Sequence, residues 1–123
     1  MPVIHAQDAP TFDVGNAVIT GLAAPSRGAT DTAAWRVRLH AGAPSPRHAL
    51  DREEVFVVLH GAVTARFDDR EETVAAGGAL IVPAGQAFSL LARDGDAEAV
   101  CVLPVGGTAA VDGGEPFTPP WAA

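Results

Sequence analysis

Apolar residues in this sequence come in runs of five to nine, each closed by a turn signal, and no stretch of 12 or more sets them at helical spacing behind an N-cap. A helix of ordinary length needs such a stripe to bury, so the sequence predicts strands and very little helix. The breaks are Pro25-Ser26-Arg27-Gly28, Gly42-Ala43-Pro44-Ser45-Pro46, Asp68-Asp69, Gly77-Gly78, Pro83-Ala84-Gly85 and Arg93-Asp94-Gly95-Asp96. Gly and Asp suit the backbone of tight turns, and Pro fixes φ while withholding a donor from any ladder. With 13 Gly and 10 Pro in 123 residues, such breaks recur often enough to keep every strand short. The expected strands are residues 12–14, 17–23, 33–40, 54–60, 62–67, 72–75, 79–82, 88–92 and 97–103. Strands so short and so closely spaced predict an all-β fold, a small antiparallel β-barrel of up-and-down, Greek-key or jelly-roll type. One domain over residues 1–123 is expected, with the barrel core at about 33–104 and an extended C-terminal arm at 105–123.

The run Trp35-Arg36-Val37-Arg38-Leu39-His40 alternates strictly, which sets Trp35, Val37 and Leu39 on a buried face and Arg36, Arg38 and His40 on a wet one. Val55-Phe56-Val57-Val58-Leu59 is apolar on both faces. Such a strand is covered on each side, by the second sheet and a terminal strand or by a partner subunit, so a homodimer is expected. The arm is rich in Gly and Pro and carries Phe117 and Trp121, which either pack across the barrel or a neighbour or hang in a loose terminus.

A net charge of −7, with no Lys and eight dispersed Arg, makes nucleic acid a poor partner, because that affinity comes largely from cations that neutralise phosphates. No apolar run nears the roughly 20 residues that cross a bilayer, so no membrane partner is expected. A single cysteine, Cys101, forms no internal disulfide, and residues 1–8 lack a basic start and an apolar segment, so a cytoplasmic location is expected. There is no Gly-x-Ser-x-Gly elbow, phosphate-binding Gly-rich loop or Cys-x-x-Cys pair.

The ordered set Gly42, His48, Leu50, Glu54, Gly61 is followed, after 15 intervening residues, by Gly77, Pro83, Gly85 and Phe88. It resembles the two motifs of the cupin superfamily over roughly residues 37–103. The resemblance implies a double-stranded β-helix of jelly-roll type, with glycines at corners that need positive φ or close backbone approach. In most cupins two histidines and a glutamate of the first motif, with a histidine of the second, hold one divalent metal. Residues two apart on a strand point the same way, so ligands from neighbouring strands converge inside the barrel. This chain has His48 and Glu54 at two of those positions and Leu50 and Phe88 at the others. Zinc and iron sites supply three or four protein ligands, so no tightly bound metal is expected. Were iron, manganese, nickel or zinc present, His48 and Glu54 would be its ligands, with Asp51, His60 or Cys101 as candidates to complete the set.

Without a metal, His48 and Glu54 are the candidate catalytic pair, an acid and a base whose pKa values an apolar interior would shift. The plain alternative is a buried hydrogen bond that satisfies both. Leu50, Phe56, Val58, Phe88, Val37 and Cys101 are the candidate pocket walls, or simply core. Arg52, Glu53 and Asp51 read as a solvated loop. His5, His40 and His60 read as structural or exposed. Three functions follow: a barrel binding a small, largely apolar metabolite, as a binding module or proton-transfer catalyst; a metal-dependent dioxygenase, isomerase or cyclase; or a structural subunit with a filled barrel. Fold alone does not choose among them.

Overall fold

The computed structural model describes residues 1–123 as eleven short strands and three single 3-10 turns. The strands are β1 (Thr11–Asp13), β2 (Ala17–Ala23), β3 (Thr32–Leu39), β4 (His48–Leu50), β5 (Glu54–His60), β6 (Ala62–Arg66), β7 (Glu71–Ala75), β8 (Ala79–Val82), β9 (Ser89–Leu91), β10 (Ala97–Pro104) and β11 (Ala109–Val111). All ladders between them are antiparallel. One sheet has six strands in the order β1-β2-β3-β10-β5-β8. The other is assembled from β7-β6-β9 and β11-β4, joined where the backbones of His48 and Phe88 exchange two hydrogen bonds of 2.9 Å. Two such sheets face to face form the expected jelly roll.

Alternation explains which residues meet between the sheets. Along β3, Ala33, Trp35, Val37 and Leu39 are buried while Arg36 and Arg38 are not, as the sequence pattern predicts. Along β10, Ala97, Ala99, Cys101 and Leu103 point inward, and register sets Cys101 between Trp35 on β3 and Phe56 on β5. On β5 the inward row is Glu54, Phe56 and Val58, so a carboxyl enters the core in phase with two apolar neighbours.

The corner between β5 and β6 shows why a motif glycine is required. Gly61 has φ +70°, and a Cβ there would lie 2.8 Å from the Asp96 carbonyl oxygen. A side chain would be strained by its backbone and would also collide with the next loop.

The core extends beyond the expected 33–104 segment. It takes in Ala17 and Ile19 of β2 and Ala109 and Ala122 of the arm. Two strands lie outside the expected set. β4 has three residues, one position past a Pro-Ser-Pro break, and β11 is formed in the Gly-rich arm by pairing with β4. Both owe their form to a partner strand, since three residues have no local pattern that marks a strand. No helix is long and apolar enough to cross a membrane.

Candidate functional site

A cavity of about 240 Å³ opens between the sheets. Its walls include Val37, Phe56 and Cys101 from the expected set, and both His48 and Glu54 line it. Leu50, Val58 and Phe88 are sealed in the packed core instead. Phe88 is held there by three rings: His48 at 4.4 Å between centroids, Phe56 at 5.9 Å and Phe67 at 6.5 Å. The sequence reading missed Ile19, Leu90 and Trp121 as walls. Trp121 arrives on the 3-10 turn Pro120–Ala122, where its ring meets Trp35 at 6.3 Å and Phe12 at 6.0 Å. An aromatic residue in a Pro-rich tail was the signal available, and it did not say on which surface the ring would land.

Glu54 is 4% exposed. Its Oε1 is shut off from water without a hydrogen-bond partner, and no ion pair reaches the side chain. Burial without compensation disfavours the anion, so the carboxyl pKa is pushed up to about 8 and the group is protonated at neutral pH. His48 is positioned by β4. Its Nδ1 lies 2.8 Å from the Pro46 carbonyl oxygen. A carbonyl only accepts, so Nδ1 carries the proton and Nε2 keeps a lone pair. Burial lowers the imidazole pKa, against a smaller opposing effect of the Pro46 carbonyl, and the ring is neutral. No hydrogen bond joins His48 to Glu54. The plain reading of the pair as a mutually satisfied contact therefore fails. Cys101 is a buried thiol, with its pKa pushed well above the ordinary range by burial and, secondarily, by Glu54 nearby. It is a neutral wall and not a nucleophile.

The donor set does not fit a divalent metal. No three His, Cys, Asp or Glu side chains are grouped so that they could hold a metal ion. Against His48 stands the Phe88 phenyl, and Leu50 is buried at the remaining position. Of the candidates to complete a site, Asp51 is exposed and its Oδ1 accepts from the Thr108 N–H at 2.7 Å, tying β4 to β11. His60 is exposed at the end of β5, beside a separate polar cleft, and the Cys101 thiol is held protonated.

The sequence model of the cupin-domain family matches residues 35–105. The chain belongs to the cupin superfamily. That match starts in β3, ends just past β10, and contains the motif glycines together with His48 and Glu54. No curated protein matches this cupin. Among solved structures, the polyketide cyclase RemF from Streptomyces resistomycificus superposes with a TM-score of 0.80 at 19% identity, over 98% of this chain and 88% of its own. An RmlC-like cupin from Shewanella frigidimarina gives 0.70 at 16% identity, over 82% and 87%. KdgF from Halomonas sp. gives 0.68 at 18% identity, over 80% and 87%. At these identities the likeness concerns the fold.

Proposed function

We propose that this cupin binds a small, largely apolar organic molecule in its barrel and transfers protons on it without a tightly bound metal. Glu54 is the acid and His48 the base. The observation that carries this reading is a buried, protonated carboxyl with no partner in the protein, lining a cavity that also holds a neutral imidazole. An unsatisfied buried polar group costs about 1–3 kcal/mol, so its persistence is better explained by a ligand group than by stability. A ketone is the natural substrate of such a pair. Glu54 gives its proton to the carbonyl oxygen while His48 Nε2 takes one from the adjacent carbon, and the product is a neutral enol. Sharing its fold with a polyketide cyclase is consistent with ketone chemistry in a barrel of this shape.

The test is deuterium exchange at the carbon next to the carbonyl, followed by proton NMR in D₂O, over a panel of small aliphatic and aromatic ketones. At least one ketone should exchange faster with the protein present. His48→Ala should lower that enhancement by about 100-fold or more. Full exchange in both His48→Ala and Glu54→Gln would refute the assignment.

The cupin is further proposed to be a homodimer in the cytoplasm, joined through the outer face of β5 and β8. Val57, Leu59 and Ile81 are 38%, 51% and 60% exposed there, with Val55 paired directly to Ile81. No charged residue interrupts this row, and such a face is suited to a second copy of itself.

A further inference from the structure

The cavity has a peculiar inventory. The chain holds two Trp, five Phe and no Tyr, and four of these seven rings, Trp35, Phe56, Phe117 and Trp121, line this one space. They come from four separate places: β3, β5, the bridge of Phe117 to Ala109, and the last 3-10 turn. Aromatic rings converging from distant segments make flat, polarisable walls that suit another ring system.

The charge inventory is equally one-sided. None of the eight Arg lines the cavity, and its only ionisable groups are Glu54, His48 and Cys101. A carboxylate or phosphate head placed against Glu54 would be buried with no cation beside it and a carboxyl as its neighbour, which is costly. An ammonium ligand would have to ionise Glu54, which burial holds protonated, and then bury both charges together. A neutral oxygen acceptor avoids both costs. It can take the proton of the Glu54 carboxyl, which has no partner within the protein.

Size narrows the class further. A cavity of ~150 Å³ in another protein accommodates benzene. By that comparison, 240 Å³ has room for one to two fused rings.

We infer that the cavity is a site for an uncharged molecule of one to two fused rings bearing a carbonyl oxygen, which accepts a hydrogen bond from the Glu54 carboxyl while the aromatic walls hold the rings. This rests on the reading of the cavity as the ligand site, and it adds the class of molecule. Selectivity lies in the charge of the head group more than in the ring.

Isothermal titration calorimetry at pH 7 on the full chain tests this with one skeleton and four head groups: tetralin, 2-tetralone, tetralin-2-carboxylate and 2-aminotetralin. The ketone should bind at least tenfold more tightly than each of the other three. In Glu54→Met, which keeps bulk and loses the donor, the preference for ketone over tetralin should fall to within about threefold. Equal or tighter binding of the carboxylate or the amine overturns the class while leaving the cavity a ligand site. A ketone no better than tetralin, or an undiminished preference in Glu54→Met, overturns the assigned hydrogen bond. No heat from any of the four overturns the site itself.

Discussion

Glu54 gives the molecule a pH dependence whose sign follows from its burial. In the unfolded chain the carboxyl ionises near 4.5, whereas in the fold it holds its proton to about 8. Between those values the folded state binds more protons, so stability is fully present at the acid end and declines as pH rises, on the order of 1 kcal/mol per pH unit. His48, whose pKa lies below its usual 6.5, tilts stability the other way, but only below that value. From pH 6.5 to 8 Glu54 therefore acts alone among the two. Urea midpoints across this window should fall in the native protein and stay flat in Glu54→Gln, which is neutral throughout. Parallel slopes would mean that the folded carboxyl is already ionised. Gly61 supplies a second prediction at this scale. Gly61→Ala combines a strained φ with a 2.8 Å contact, whereas Gly85→Ala has the positive φ of +79° and open space. Thermal denaturation should show Gly61→Ala destabilised by roughly 1–3 kcal/mol and by clearly more than Gly85→Ala.

The element that finishes the site is the C-terminal arm. It is held at several points, among them two that bear on the cavity wall. β11 pairs with β4, and further along Arg27 donates from Nε to the Leu22 carbonyl at 2.7 Å and from Nη2 to the Trp121 carbonyl at 3.1 Å. Arg27 sits in the 3-10 turn Pro25–Arg27, so a turn after β2 fixes an aromatic wall almost a hundred residues downstream. Charged hydrogen bonds of this kind contribute about 1.5–3 kcal/mol. Arg27→Ala should lower stability by about that amount and shift tryptophan fluorescence to the red as Trp121 meets water, while far-ultraviolet circular dichroism keeps its β signature. Unchanged emission would show that the arm does not depend on this latch. The same logic explains what the sequence left hidden here. The 17–23, 54–60 and 79–82 strands were legible because alternation or β-branched runs announce them, and they lie where expected. β4 and β11 were not, because each is a three-residue segment made regular by the other.

For the molecule as a whole, the double-sided apolar run on β5 has its inner half explained and its outer half still open. Phe56 and Val58 are core; Val57 and Leu59 face outward beside Ile81. A stable dimer buries roughly 800 Å² on each partner, and this face lies on the side of the sheet away from the cavity, so pairing would leave the site free. Light scattering should give twice the mass of the 12.5 kDa chain, and Leu59→Glu should halve it without lowering ligand affinity. A native monomer at micromolar concentration would remove the dimer.

Sequence alone determined that this chain is a small antiparallel barrel, which residues turn inward along β3, and that the motif positions carry one histidine, one glutamate and two apolar residues. These are local properties: periodicity, turn chemistry and spacing are written in neighbouring residues. The tertiary structure decided that Glu54 lacks any partner, that Phe88 closes against His48 and leaves the cavity wall, and that Trp121 and Phe117 complete an aromatic chamber. Each of these depends on which atoms meet across the two sheets. Contacts between residues dozens of positions apart are set by how the sheets stack and where the arm lands, and no local pattern encodes them.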